Sequence, residues 1–365
     1  MDPATSTATL QDDSEPSSIW GWWPSWRPTS AAILKSAEAK ILTRVQNDMW
    51  ARYVTLPNQE RIWTLTVTNK SAPKPKQQAP TKTPLVMVHG FGAGVGLWVK
   101  NLDRLSHSRP LHAFDLLGFG RSTRPAFPSD ATQAEDIFVS SIEQWRQSLG
   151  LDDMILLGHS LGGYLATSYA IRYPARVKHL ILVDPWGFPD RNQPVGAEAE
   201  GTQVVKRPTL PLWVKAVVSV LGFFNPLAVI RAAGPWGPGL VTRFRQDFKI
   251  KFEDLFDDDT MTNYIYHCNA QTPSGETGYW AMMESLAWAK RPMLQRVDQL
   301  PASLPVSMLY GDRSWMTSSS GHEAARIRGQ AYTRVELIKD ASHHVNNDQP
   351  EIFNNMVEEI CNSVD

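Results

Sequence analysis

The chain has 365 residues, with 36 Lys and Arg against 37 Asp and Glu, so its formal net charge is −1. Hydrophobic residues make up 42% and charged residues 20%, so the chain can bury a sizeable core and is not disordered throughout. The balanced charge argues against a nucleic-acid-binding protein, which usually carries a strongly basic surface. This length predicts one large domain with an inserted subdomain.

Cysteine usage and the first residues indicate the compartment. Cys268 and Cys361 are too few and too far apart for a disulfide framework or a zinc site, which predicts a reducing compartment. His267 lies beside Cys268, and core packing rather than metal binding is expected for this pair. Residues 1–18 lack the basic start and apolar core of a secretory signal, and no apolar run reaches the ~18 to 20 residues of a membrane span. We therefore expect an intracellular protein, either soluble or peripheral on a membrane.

The N-terminal part divides into two segments. Residues 1–18 are predicted to be a disordered acidic tail, and residues 19–46 a Trp-rich arm followed by a helix. Helical periodicity begins after Ser30, which suits an N-cap. The chain has 14 Trp, more than its 13 Phe, and such an excess is typical of a boundary between water and an apolar phase.

Short apolar strands alternate with amphipathic helices over residues 47–188, the first part of the predicted core, and over 301–365, its second part. An opening hairpin with a turn at 57–60 supplies an antiparallel edge. Further strands are predicted at 84–89, 111–116, 154–157, 179–183, 306–310 and 334–338. Helices are predicted at 134–149, 161–173, 321–328 and 350–360. This alternation predicts an α/β fold with a mostly parallel sheet covered by helices on both faces.

Residues 189–300 interrupt the alternation. They are rich in Pro, Gly and Trp, with apolar helices predicted around 212–224 and 276–289. We expect a helical cap, inserted over the carboxyl edge of the sheet.

The strongest motif is the pentapeptide 158–162, Gly-His-Ser-Leu-Gly. It follows an apolar strand and opens a helix, which is the context of a G-x-S-x-G nucleophile elbow. Ser160 is the predicted nucleophile. Its tetrahedral intermediate needs two donors, for which we predict the backbone N–H groups of Leu161 and of Phe91, in the Gly-rich loop after the strand at 84–89.

A serine nucleophile needs a base and an orienting acid. In the chain order of this motif the base follows the last strand, where His343 and His344 stand side by side. Asp312 follows the next-to-last strand and is the first choice for the acid. Asp184, after the preceding strand, is the alternative, and Asp340 lies too close to the histidines. An Asp at a strand end often only caps a turn, so the choice stays open.

Six further segments carry a family resemblance, at 22–30, 114–122, 184–189, 264–269, 273–277 and 290–294. From about residue 20 to its end the chain resembles the α/β-hydrolase superfamily, and within it the small subfamily of α/β-hydrolase domain-containing proteins four and five. The resemblance implies that the His-x4-Asp motif of the family falls on His343 and Asp348, which makes His343 the base. The family's acid would fall on Thr317 or Ser314, so this chain departs from the pattern there. The same His-x4-Asp spacing resembles an acyltransferase motif.

The resemblance also implies an activity. The branch with serine at the position of Ser160 removes O-acyl chains from N-acylphosphatidylethanolamine and its lyso form, giving glycerophospho-N-acylethanolamine. The branch with asparagine there is a lipase coactivator. The alternatives to the hydrolase are thus a non-catalytic or weakly catalytic lipid-droplet lipase coactivator and a lysophosphatidate acyltransferase.

A bilayer substrate implies a cytoplasmic protein that is peripheral on membranes or lipid droplets. The predicted arm would then face the membrane, with lipid-droplet lipases or coat proteins as further partners. No metal, nucleotide or organic cofactor is implied. The predicted membrane anchors are Trp20, Trp22, Trp23 and Trp26.

Overall fold

An eight-stranded sheet forms the centre of the computed structural model, which describes residues 29–71, 82–191, 226–285 and 288–365. The strands in chain order are β1 (Asp48–Thr55), β2 (Arg61–Thr68), β3 (Leu85–Val88), β4 (Leu111–Phe114), β5 (Met154–His159), β6 (Val177–Val183), β7 (Met283–Ser285), β8 (Trp288–Ala289), β9 (Val306–Gly311) and β10 (Thr333–Ile338). The helices are α1 (Ala31–Leu42), α2 (Val99–Leu105), α3 (Ala131–Ser148), α4 (Leu161–Arg172), α5 (Pro226–Ala232), α6 (Gly237–Phe244), α7 (Gln246–Lys251), α8 (Thr260–Ala270), α9 (Gly275–Met282), α10 (Ser319–Arg328), α11 (Val345–Asp348) and α12 (Pro350–Asn362).

The strand order in the sheet is β1-β2-β4-β3-β5-β6-β9-β10. β1 and β2 form the antiparallel edge, β2 pairs antiparallel with β4, and the remaining pairs are parallel. The central strands β3 and β5 are buried along their whole length, which explains why they are continuous apolar runs. The predicted α/β architecture is confirmed.

Apolar side chains pack on both faces of the sheet. One cluster includes α3, α4 and α10, and the cluster on the other face includes α2 and α12. A third cluster joins α1 to α6, α7 and α8. Ser30 caps α1 as predicted, because its Oγ accepts a hydrogen bond from the Ile33 amide at 3.2 Å.

The described residues between β6 and β9 add helices α5 to α9 and the small β7–β8 sheet, but no strand of the main sheet. We call this part of the chain the insertion. The helix predicted over 276–289 is wrong in its second half. α9 ends at Met282, and the chain turns back there so that the Lys290 amide donates to the Met282 carbonyl at 2.8 Å. The apolar helix expected at 212–224 lies outside the described residues.

The carboxyl ends of the parallel strands meet at one edge of the sheet. The loops after β3, β5, β6, β9 and β10 therefore lie close together in space, although they span more than 250 residues of the chain. In open α/β sheets this edge is where ligands bind.

Candidate active site

Ser160 lies in a tight turn between β5 and α4. Its backbone has φ +53° and ψ −118°, a conformation that residues other than glycine rarely adopt. A Cβ atom at Gly158 would lie 2.3 Å from the Gly162 carbonyl oxygen, and one at Gly162 would lie 2.4 Å from the Val88 carbonyl oxygen. Only glycine therefore fits at both flanks, and the turn exposes Ser160 to a cavity of about 460 Å³.

Three side chains from three strand ends form a continuous chain of contacts. Ser160 Oγ, after β5, is 3.0 Å from His343 Nε2, in the loop after β10. His343 Nδ1 is 2.6 Å from Asp184 Oδ2, after β6. Serine, imidazole and carboxylate thus stand in the order that nucleophilic catalysis by serine requires.

Asp184 is fully buried and held from the neighbouring strand. The Gly311 amide donates to its Oδ1 at 3.3 Å, and the Ser314 hydroxyl donates to its Oδ2. Its own backbone has a positive φ of 45°, a strained conformation that turns the chain at the end of β6. Burial raises the pKa of Asp184 to about 7, while the hydrogen bonds from Ser314 and Gly311 oppose this rise.

Asp312 does not occupy the acid position that the sequence analysis gave it. Its Oδ1 accepts a hydrogen bond from the Ala341 amide at 3.2 Å, so it braces the loop after β10 rather than His343. Asp340 pairs instead with Arg313. The alternative, Asp184, faces the imidazole. Both Asp184 and Asp312 end a buried parallel strand, and the spacing along the chain could not tell them apart.

His159 supports His343, a role that the sequence analysis missed. Its Nε2 donates to the backbone carbonyl of His343 at 2.8 Å. Burial lowers the pKa of His159 to about 3, so this imidazole stays neutral and keeps its donor. Burial also lowers the pKa of His343, and the positive charges of Lys251 and Arg245 lower it further. A lowered pKa keeps His343 in the neutral form that a general base needs.

His344 is the neighbour that does not contact the serine. Its ring packs against Phe248 of the insertion, with ring centroids 5.1 Å apart. Burial holds the pKa of His344 well below its usual range. Of the two adjacent histidines, only His343 lies within hydrogen-bond distance of Ser160 in the described structure.

The two predicted oxyanion donors border the same space. Leu161 is the first residue of α4, where backbone N–H groups have no partner within the helix. Phe91 lines the cavity with Ser160, and a Cβ atom added to its neighbour Gly90 would lie 3.0 Å from the Ser160 Cβ. The backbone of this loop thus approaches the nucleophile closely, as the predicted role requires.

The cavity has an aromatic side and a charged side. Phe91 and Tyr279 pack with ring centroids 4.3 Å apart, and Tyr279 packs on Trp186 at 4.9 Å. The charged lining comes from the insertion and from the loop after β9. Its members are Arg245, Asp247, Lys251 and Arg313. Such a cavity suits a molecule with an apolar chain and a polar headgroup.

Asp348, the second residue of the His-x4-Asp motif, binds Lys251 and Ser342. Asp348 Oδ1 lies 2.7 Å from Lys251 Nζ. Asp348 Oδ2 accepts from the Ser342 amide at 2.7 Å and from its hydroxyl at 2.5 Å. In the described structure His343 takes its carboxylate partner from Asp184, so the two motif residues do not act as a His–Asp pair.

The described residues form neither a cluster for a metal ion nor a membrane-spanning helix. They contain no group of three His, Cys, Asp or Glu side chains that could hold a metal ion. None of the helices they form is long and apolar enough to cross a membrane. Cys268 is buried in the third apolar cluster, and His267 Nδ1 lies 3.0 Å from Thr29 Oγ1.

Known proteins resemble the chain over almost its full length. The family model described as the alpha/beta hydrolase fold matches residues 83–350. The human (Lyso)-N-acylphosphatidylethanolamine lipase is 58% identical over 98% of this chain and 100% of its own, and the bovine protein of that name is 60% identical over 92% and 94%. The human 1-acylglycerol-3-phosphate O-acyltransferase ABHD5 is 50% identical over 92% of each chain.

Solved structures share the fold at low identity. Carboxylesterase CesB from Bacillus subtilis superposes with a TM-score of 0.59 at 16% identity, over 90% of this chain and 97% of its own. A bacterial membrane phospholipase A superposes with a TM-score of 0.57 at 19% identity, over 92% of each chain.

Proposed function

Because this chain belongs to the α/β-hydrolase family, we propose that it is a serine hydrolase that removes O-acyl chains from N-acylphosphatidylethanolamine and its lyso form, giving glycerophospho-N-acylethanolamine. The contacts from Ser160 through His343 to Asp184 carry the proposal of catalysis, since they supply nucleophile, base and acid beside an open cavity. The relatives that are 58% and 60% identical indicate the substrate.

The reaction proceeds in two halves. Ser160 Oγ attacks the ester carbonyl while His343 Nε2 takes its proton, and the N–H groups of Phe91 and Leu161 stabilise the oxyanion. His343 returns the proton to the leaving glycerol oxygen, which leaves an acyl-serine. A water then attacks the acyl-serine while His343 takes its proton, and His343 returns this proton to Ser160 Oγ as the fatty acid leaves. Asp184 accepts from His343 Nδ1 and stabilises the positive imidazolium in both halves.

The complete set of three side chains favours catalysis over a non-catalytic coactivator. A serine without an oriented imidazole would be a poor nucleophile, but His343 is held both by Asp184 and by His159. Docking on lipid-droplet lipases or coat proteins remains the second role that the sequence suggested.

Acyl transfer to lysophosphatidate is the other candidate, because a relative with 50% identity bears that name. The same acyl-serine could pass its acyl group to an alcohol in place of water. Asp348 is already engaged with Lys251 and Ser342, so the acyltransferase-like motif offers this reaction no separate His–Asp pair. We therefore favour water as the acceptor.

A membrane phospholipid is reached at a surface, so we propose that the protein is cytoplasmic and attaches peripherally to membranes or lipid droplets. The predicted anchors Trp20, Trp22, Trp23 and Trp26 lie outside the described residues. The cavity with an aromatic and a charged side agrees with an amphiphilic substrate.

The proposal is tested with a fluorophosphonate probe and with vesicles that contain N-acylphosphatidylethanolamine. The wild type should be labelled and should release fatty acid, whereas Ser160→Ala should do neither. An unlabelled wild type, in detergent and with vesicles, would contradict the proposal. Labelled lysophosphatidate added to the same vesicles reports transfer, and more phosphatidate than free fatty acid would favour the acyltransferase.

A further inference from the structure

A small ring of hydrogen bonds joins the insertion to the loop that carries His343. Lys251, the last residue of α7, lies 2.7 Å from Asp348 Oδ1 and donates to Ser342 Oγ at 2.8 Å. Ser342 in turn donates to Asp348 Oδ2 from its amide and its hydroxyl. Because Ser342 directly precedes His343 in the chain, the ring fixes the backbone next to the residue that carries the base.

The ring is shielded from water. The side chains of Lys251 and Asp348 are only 11% and 13% exposed. An ion pair at this depth is screened by salt much less than one on the surface. Removing one partner would leave the other charge half-buried and without its counter-charge.

The same helix holds the residue on the other side of the base. Phe248 of α7 is buried, and its ring packs against His344. α7 therefore contacts Ser342 through Lys251 and His344 through Phe248. His343 lies between two residues that this one helix of the insertion holds in place.

We propose that Lys251 and Asp348 are positioning residues, whose ion pair holds the His343 loop against α7 so that His343 Nε2 stays within reach of Ser160. This inference rests on the proposed function, in which His343 is the base. It gives the Asp of the His-x4-Asp motif a role that needs no acyltransferase reaction. It also makes the geometry of the base depend on the position of α7, which lines the cavity that a lipid must enter.

The expected effect is on catalysis more than on binding. A displacement of about 1 Å between reacting groups can lower a rate by about 100-fold. Lys251→Met and Asp348→Asn are therefore each expected to lower kcat by about 10- to 100-fold, with little change in KM. Lys251→Arg keeps the ion pair and should keep most of the kcat.

The charges supply a second readout, the pH profile of the labelling rate. Lys251 lowers the pKa of His343, whereas Asp348 raises it. Lys251→Met should thus move the acidic limb of the profile to higher pH, and Asp348→Asn should move it to lower pH. Loss of packing alone would not produce opposite shifts. The charged and titratable groups near His343 are Asp184, His159, His344, Lys251, Arg245, Asp247, Asp348 and Arg313.

Lys100→Met is the matched control. Lys100 of α2 pairs with Asp254 of the insertion, also at 2.7 Å, but this ion pair lies outside the ring of hydrogen bonds that Lys251, Ser342 and Asp348 form in the described structure. The experiment measures the rate of fluorophosphonate labelling and the hydrolysis of N-acylphosphatidylethanolamine. Each kcat is divided by the concentration of probe-reactive Ser160, so that unfolded protein does not lower it.

The outcomes separate the two proposals. A loss of kcat in Lys251→Met and Asp348→Asn but not in Lys100→Met, with opposite pH shifts, supports the positioning role. If the wild type is labelled but the three variants behave alike, or the two pH shifts have the same sign, the positioning role is overturned and the proposed function stands. If the wild type is not labelled, the proposed function and this inference are overturned together.

Discussion

Ser314 Oγ donates a hydrogen bond to Asp184 Oδ2, the same carboxylate oxygen that faces His343 Nδ1 at 2.6 Å. Ser314 stands three residues after Gly311, at one of the two positions where the resembling family carries its acid. The loop after β9 therefore supplies a supporting hydroxyl, and the carboxylate comes from the end of β6. The two strands are hydrogen-bonded neighbours, so either loop can reach the same imidazole.

The first prediction separates the two candidate acids. Asp184→Asn should lower kcat by about 10⁴-fold, as in triads whose carboxylate is neutralised, because the asparagine no longer holds the productive tautomer of His343. Asp312→Asn is the control, since its partner is the Ala341 amide. The rate of fluorophosphonate labelling reports the reactivity of Ser160 in both variants. A large loss in Asp312→Asn with a normal rate in Asp184→Asn would contradict the assignment.

The second prediction concerns the hydroxyl that supports the acid. A hydrogen bond to a charged group contributes about 1.5–3 kcal/mol, so Ser314→Ala is expected to lower kcat by about tenfold or more. The Ser314 hydrogen bond lowers the pKa of Asp184, so its loss should also move the acidic limb of the rate profile to higher pH.

Thr317→Ala is the control for that experiment. Thr317 occupies the other of the two positions at which the family carries its acid. Its hydroxyl contacts Ser319 and is not one of the groups that donate to Asp184 in the described structure. Equal rates and equal pH profiles in Ser314→Ala and the wild type would show that the Ser314 hydrogen bond contributes nothing to the function of Asp184.

The third prediction concerns the glycine after the nucleophile. Gly162→Ala would bring a Cβ to 2.4 Å from the Val88 carbonyl oxygen, and since backbone cannot yield easily, we expect a loss of about 2–4 kcal/mol in the free energy of unfolding. Gly239→Ala is the control, because nothing lies within 4 Å of its added Cβ. Urea unfolding measures both, and a Gly162→Ala variant as stable as Gly239→Ala would contradict the close packing of β3 and α4.

The fourth prediction concerns a buried carboxyl outside the active site. Trp63 Nε1 and Arg121 Nη1 donate to Glu38 Oε1, and burial raises the pKa of Glu38 from 4.5 to about 8. Between these pH values the folded state holds a proton that the unfolded state has released. The free energy of unfolding should therefore fall as the pH rises from 4.5 to 8, through the contribution of this group.

Glu38→Gln removes the titration and should flatten this dependence. Unfolding by urea at several pH values across that interval measures the slope, with the exposed Glu253→Gln as control. The variant should gain stability relative to the wild type as the pH rises. An unchanged slope would mean that Glu38 stays ionised when it is buried.

Local patterns were enough for the strands of the main sheet and for the turn that carries Ser160. Alternating apolar strands and amphipathic helices predicted the α/β sheet. A strand that is buried on both faces of the sheet is a continuous apolar run, and such a run is visible in a short segment of sequence. The prediction of a helix over 276–289 was wrong in its second half. The chain reverses at Met282 because β7 pairs with β8, and the spacing of residues within one segment does not show such a pairing.

The sequence by itself determined the fold class, the tight turn at Ser160 and the loop that carries the predicted base, since each depends on residues that are adjacent in the chain or on the order of strands. It left His343 and His344 as two candidates, between which only the family resemblance chose. Only the tertiary structure decided the acid. Asp184 and Asp312 both end parallel strands, and which one meets His343 depends on where three loops meet at the edge of the sheet. The contacts of His159 with His343 and of Lys251 with Ser342 could not be predicted from the sequence either. The first joins residues 184 positions apart in the chain, and the second joins residues 91 positions apart.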